Sequence, residues 1–172
     1  YISKGAAGLI DFSCPKVSSL ERSKLISDYL EIYKKNLFIK THLFNGISEV
    51  IDTLVSKNIK WGIVTNKPSY LVLPIIEMLN FTHVPNCIVA GDTLSVKKPN
   101  PEPLIYASKQ ISIDPIFCAY VGDDLRDIVA ANAAKMFSVA AAYGFISDTN
   151  QIKEWESDYI IDSPLDLKNL IS

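Results

Sequence analysis

FCAYVGDDLRDIVAANAA, residues 117–134, decides how the rest of the chain is read. An apolar run leads into Gly122, two aspartates follow, and a helical pattern opens with Asp127 in its first turn. The apolar run reads as a buried strand, and the alanine-rich run after it as a helix packed closely on a sheet. Asp123 then stands at the carboxyl end of that strand, the edge where open α/β sheets bind their ligands. Asp127 lies four residues on, within reach of the same space. Carboxylates gathered at such an edge repel one another unless a positive group sits between them. A divalent cation answers that need, and hard oxygen donors with few protein contacts suit Mg²⁺. The same residues also fit a plain helix start, with Asp124 as N-cap and Asp127 complementing the dipole. On this stretch alone the two readings stand level.

Composition narrows the field. The chain has 172 residues, of which 48% are hydrophobic and 21% charged, enough for a sizeable core in one domain with a small appendage. Net charge is −2, and the sequence lacks the basic runs of a nucleic-acid footprint or a basic membrane patch. No apolar stretch approaches the ~18 residues of a spanning helix. Cys14, Cys87 and Cys118 are widely spaced and form no CxxC pair, which argues against a zinc site or a disulfide scaffold. A soluble, reduced, cytoplasmic protein is expected.

Outward from the central stretch, residues 1–36 read as helical, with no strand among them. Ser18-Ser19-Leu20-Glu21 opens a helix with a capping-box pattern, and Leu25, Ile26, Tyr29, Leu30 and Tyr33 mark its apolar face. Residues 37–172 alternate helices and strands. Strands are expected near 60–64, 87–90, 118–121, 137–141 and 159–161, with helices between them and a last one over 164–171. That alternation implies parallel βαβ units. The expected fold class is α/β: a doubly wound parallel sheet, with 1–36 as part of a small helical cap.

Three polar clusters then fall at strand ends: Thr65-Asn66, Lys97-Lys98, and Asp123 with Asp127. In a parallel sheet those ends share an edge. A hydroxyl, backbone amides at a helix start, an ammonium and carboxylates together suit a phosphoryl group with a bound metal. Taken singly, Thr65 reads as a helix cap and the lysine pair as solvated. The Pro99-Asn100-Pro101 framing stiffens the loop and aims a lysine.

The ordered strings VTNKP, KKPNPEP and YVGDDLRDI resemble the second, third and fourth motifs of the haloacid dehalogenase-like (HAD) phosphatases, within them the phosphoglycolate phosphatase type with a small helical cap. The likeness extends to SKGAAGLI and DYIIDSPLDL near the ends. THLFNG and AAYGFI resemble a bacterial branch that dephosphorylates N-acetylmuramic acid 6-phosphate. The resemblance implies a Mg²⁺-dependent phosphomonoester hydrolase acting on a small phosphorylated metabolite. Thr65 and the backbone amide of Asn66 would hold the phosphoryl group. Lys98 would neutralise charge, as a compact ammonium does. Asp123 would ligate Mg²⁺, with Asp127 reaching the ion directly or through water, and Asp124 would cap the helix. Lys4 and Gly5 match a cap loop that helps select substrate, although Lys4 reads equally well as an ordinary surface lysine.

The family's first motif, a strand ending in Asp-x-Asp-Gly-Thr, does not occur in the sequence. Its first aspartate is the nucleophile that forms a phosphoaspartyl intermediate, and its second the general acid and base. The resemblance puts this strand ahead of Tyr1, in the centre of the sheet, within roughly 40–60 further residues. Without it, the flanking strands expose unpaired backbone, and the sheet is expected to recruit a strand, for example by homodimer strand exchange, or to be unstable. The 172-residue chain alone is expected to be inactive. Lys135 stands where relatives carry a helix-ending glycine. Two other classes compete with the enzyme: an inactive binding protein on the same fold, and a receiver-like signalling domain, against which the helical prefix and the KKPNP loop count.

Overall fold

The computed structural model describes residues 5–144, 146 and 149–171. The chain divides into two compact units, one ending at His42 and the other beginning at Leu43.

The first unit is a pair of helices, α1 (Gly5–Ser13) and α2 (Ser19–Lys35). Ser18 caps α2 with the reciprocal bonds of a capping box: its side chain accepts from the Glu21 N–H, and Glu21 accepts from the Ser18 N–H. Arg22 on α2 pairs with Asp11 on α1. Asp11 is therefore a helix-pairing residue. Leu25, Ile26, Tyr29, Leu30 and Tyr33 form the half-buried face read from the sequence, and Tyr29 and Tyr33 stack at 6.1 Å.

The second unit alternates as expected: α3 (Ile47–Ser56), β1 (Gly62–Val64), α4 (Ser69–Leu79), β2 (Cys87–Val89), α5 (Glu102–Gln110), β3 (Ala119–Gly122), α6 (Leu125–Ala133), β4 (Phe137–Ala141), β5 (Tyr159–Ile161) and α7 (Leu167–Leu170). A 3₁₀ turn at Pro164–Asp166 leads into α7, so the expected last helix is shorter than its pattern. Another 3₁₀ segment, Thr149–Glu154, had no counterpart in the sequence reading.

All strand pairs are parallel, as the βαβ pattern requires. The expected single doubly wound sheet is instead two sheets, β1-β2 and β3-β4-β5. Among the described residues β1 pairs only with β2, and β3 only with β4. Neither offers its remaining edge to the other. The two sheets are linked by a side chain: the Tyr120 hydroxyl on β3 donates to the Val64 carbonyl on β1 at 2.9 Å.

The core explains why α6 is alanine-rich. Ala130, Ala131 and Ala134 pack with Leu104 and Met136 against Tyr120 and Val64, while Ile128 faces a second cluster with Ala140 and Ile152. Small side chains let α6 approach the strands closely, and Ile128 is fully buried. After α6 the chain turns at Lys135 with φ of 61°, so lysine adopts the left-handed backbone that glycine would take more cheaply. No helix among the described residues is long and apolar enough to cross a membrane.

Candidate active site

The loop after β1 is built first. The Thr65 N–H extends the ladder by bonding Val89 O at 2.9 Å, and its Oγ1 accepts from the Lys67 N–H at 3.1 Å. Asn66, expected to act through its backbone amide, uses its side chain as well. Its Nδ2 donates to Lys98 O at 2.9 Å and its Oδ1 accepts from Lys98 N–H at 3.0 Å. This double bond to one peptide unit fixes the lysine loop to the end of β1. Gly91 makes room for it, since a Cβ there would collide with the Asn66 backbone.

The two lysines part company. Lys97 is exposed and helps to hold the Asp92 carboxyl below its ordinary range, a shift caused first by the Ser69 hydroxyl. Lys98 turns inward, its side chain 9% exposed, and its Nζ meets Asp127 Oδ1 at 2.7 Å, Tyr120 Oη at 2.6 Å and Val64 O at 3.1 Å. A pair of buried ions is stable only when their remaining protons and lone pairs are also satisfied, and here they are.

Asp127 serves two masters. It is the third residue of α6, where it completes a capping box with Asp124: Asp124 accepts from the Arg126 N–H, and Asp127 Oδ2 accepts from the Asp124 N–H at 3.2 Å. Its other oxygen takes Lys98. Gly122 permits this, because a Cβ at that position would overlap the Asp127 side chain. Asp124 also binds Arg126 through both oxygens, at 2.7 and 2.9 Å, which raises the guanidinium's pKa.

Asp123 is exposed at the end of β3. Gly144, after β4, lies against its side chain, where a Cβ would clash. Tyr143 feels its charge: burial first, then Asp123, pushes that phenol above its usual value. Tyr120 is pushed well above its usual value by burial, then by Asp127 and Asp123.

The geometry thus joins Asn66, Lys98, Tyr120 and Asp127 by direct bonds at the carboxyl edge, with Thr65 beside Asn66 and Asp123 acting on the same phenol. Lys4 lies outside the described residues. Gly5 begins α1 with φ of 69°. The role of Tyr120 was not read from the sequence, because on an apolar strand a tyrosine reads as core; its place three residues before Asp123 was the available signal. A cavity of ≈ 50 Å³ lies elsewhere, lined by Ile51, Asp52, Leu79 and Phe81 among others, and includes none of these residues.

Among the described residues no three metal-binding side chains gather in one place. Mg²⁺ does not require that, since one or two carboxylates with water and phosphate oxygens complete its shell. Asp127 is paired with Lys98 and Asp124 with Arg126, and Asp123 stands exposed at the same edge, so the site offers hard carboxylate oxygens. The donor set fits such an ion.

This arrangement of strand ends is that of a known class of hydrolases. Residues 13–141 match the haloacid dehalogenase-like hydrolase family, and the chain belongs to it. It is 35% identical over 163 residues to a phosphoglycolate phosphatase of Xanthomonas campestris, covering 95% of this chain and 74% of that protein. It is 33% identical over 173 residues to an N-acetylmuramic acid 6-phosphate phosphatase of Pseudomonas putida, covering 99% and 77%. Among solved structures, a protein from Haemophilus somnus described as a predicted phosphoglycolate phosphatase superposes with a TM-score of 0.84 at 25% identity, covering 99% of this chain and 76% of that one.

Proposed function

We propose that this chain carries the phosphate-handling part of a Mg²⁺-dependent phosphomonoester hydrolase that acts on a small phosphorylated metabolite, phosphoglycolate phosphatase-like in its chemistry. The observation that carries the reading is the buried Lys98–Asp127 pair at the carboxyl edge, locked to the end of β1 by Asn66. Lys98 would neutralise the phosphoryl oxygens, and the Thr65 hydroxyl with the Asn66 N–H would orient them. Asp123 would hold the metal ion directly. Asp127, with both oxygens engaged, would meet it through water. When bound, the ion would supply charge stabilisation to the transferring group.

None of the described aspartates takes the part of the nucleophile in this scheme. We place that carboxylate on a strand encoded ahead of Tyr1 and seated between β1 and β3. The support is the pair of strand edges that find no partner in each other. Its oxygen would bond to phosphorus as the ester oxygen departs with a proton from a second carboxylic acid, and water would then cleave the phosphoaspartate. A second substrate, N-acetylmuramic acid 6-phosphate, is favoured by the Pseudomonas putida relative, which covers slightly more of the chain.

The test is a Mg²⁺-dependent assay of the 172-residue chain beside a form extended by the upstream reading frame. Phosphoglycolate, sugar phosphates and N-acetylmuramic acid 6-phosphate serve as substrates. The extended form is expected to turn over one of them and the 172-residue chain none. In the extended form Asp123→Asn removes the metal-dependent rate, and Lys98→Ala costs about 3 kcal/mol of transition-state stabilisation. Robust turnover by the 172-residue chain overturns the upstream nucleophile, and an inert extended form overturns the phosphatase.

A further inference from the structure

THLFNG, residues 41–46, and AAYGFI, residues 141–146, stand far apart in the chain, and the function proposed above draws on neither. The fold brings them together within the second unit. The Phe44 and Tyr143 rings meet edge to face, with centroids 5.3 Å apart and planes at 70°. Tyr143 follows β4, which is paired on both sides, to β3 and to β5. The Ala142 N–H extends the ladder to Ile161 O at 2.8 Å, and the Gly144 N–H closes the turn on Ala141 O at 3.1 Å. Phe44 lies in the turn before α3. Its carbonyl accepts from the Ile47 N–H at 3.2 Å, and Gly46 takes φ of 92° against the Leu165 side chain. None of these contacts uses β1 or the open edge of β3, so a strand seated between those two leaves the aromatic pair in place.

The pair stands beside Asp123. Gly144 is so close that a Cβ there would collide with the Asp123 side chain, and the Asp123 charge reaches the neighbouring phenol. The rings are not core: Phe44 is 43% exposed and Tyr143 half-buried. Among the described residues no hydrogen bond occupies the Tyr143 hydroxyl. The face of an aromatic ring is the negative side of its quadrupole. It therefore welcomes C–H groups and turns a carboxylate away. A pyranose presents C–H groups on its ring face and hydroxyls around its rim, within the reach of a phenol. A two-carbon acid presents no such face, and its carboxylate is unwelcome over the rings.

We propose that Phe44 and Tyr143 form an aromatic shelf that receives the organic part of the substrate and makes the site favour a pyranose phosphate over a two-carbon acid phosphate. This rests on the phosphatase reading given above and adds to it the class of substrate.

The experiment is made on the form extended by the upstream reading frame. Its substrates are N-acetylmuramic acid 6-phosphate, glucose 6-phosphate and phosphoglycolate. The unaltered enzyme has its highest kcat/KM on one of the two pyranose esters. Phe44→Ala and Tyr143→Ala each raise KM for that ester about tenfold with kcat unchanged, as when binding is lost equally from ground and transition states. KM for phosphoglycolate stays within about twofold. Tyr143→Phe keeps the ring and loses only about threefold, the worth of one hydrogen bond. A pair that merely joins its two loops would lower the denaturation midpoint and shift all three substrates alike, and that result overturns the shelf. A highest kcat/KM on phosphoglycolate in the unaltered enzyme overturns it too, whether or not the variants fold. Either result leaves the phosphatase standing. An extended form inert on all three esters defeats the phosphatase reading itself, and the shelf with it.

Discussion

Two helices of this protein start in the same way and end up with different work. Helix α2 opens with Ser18 and Glu21, and α6 with Asp124 and Asp127, and each pair makes a reciprocal capping box. At α2 both partners are exposed, and the Glu21 carboxylate returns to its own cap, bonding the Ser18 N–H and Oγ–H through one oxygen. At α6 the third-position carboxylate is buried and divides its oxygens between the cap and Lys98. Local sequence chemistry is the same. The difference is the close packing around α6, where a glycine strand end and a lysine loop meet the helix start. A capping box thus becomes part of an ionic site when the fold brings a cation to its unused lone pairs.

The largest expected effect is a contrast in stability. Asp127→Ala leaves the Lys98 charge buried without its partner and should cost about 3–5 kcal/mol, read as a fall in the urea midpoint. Glu21→Ala should move that midpoint far less, since its bonds compete with water. Equal shifts would erase the distinction drawn between the two starts. Next comes Gly122→Ala, which forces the Asp127 side chain away from the strand end and should cost about 1–3 kcal/mol. Nothing comparable constrains the residues around Glu21.

The two starts should also respond to opposite ends of the pH scale. The folded pKa of Tyr120 is raised, so the stability tied to its proton is complete below the unfolded phenol's value, about 10, and is lost as pH rises from there toward the folded value. Alkaline denaturation curves should therefore be less steep for Tyr120→Phe. The Glu21 pKa is lowered, by the Ser18 hydroxyl first and its backbone second. Its contribution is present above the ordinary carboxylate value and fades as pH falls through the folded one. The smallest effect is at the helix ends. Helix α2 closes on Asn36 with negative φ, whereas α6 runs into Lys135 at φ of 61°. Lys135→Gly should stabilise the chain by about 1 kcal/mol or less.

Much of this was legible beforehand. The order of helices and strands and the caps at Ser18 and Asp124 follow from periodicity and short-range spacing, whereas the choice of Lys98 over Lys97 came from the family resemblance, the proline-framed loop aiming one lysine without saying which. What escaped were contacts between segments distant in the chain. The Asn66 amide spends its side chain on a peptide thirty-two residues away, and no local pattern announces that. Tyr120 was hidden by its setting, because a strand of apolar neighbours explains a tyrosine without its hydroxyl. The break between β1 and β3 is a matter of what lies beside each strand, which one-dimensional alternation does not encode. Asp127 shows the limit best: one of its oxygens makes the cap that the sequence offered, and the other takes Lys98, a partner from a loop distant in the chain.

Gly91 has a consequence of its own for anyone who would redesign this protein. It bears no functional group, yet any side chain there presses on the Asn66 backbone and through it on the lysine loop. Mutant libraries restricted to polar and charged positions would pass over it. A swap at that position would look harmless on a charge map and should still misplace Lys98.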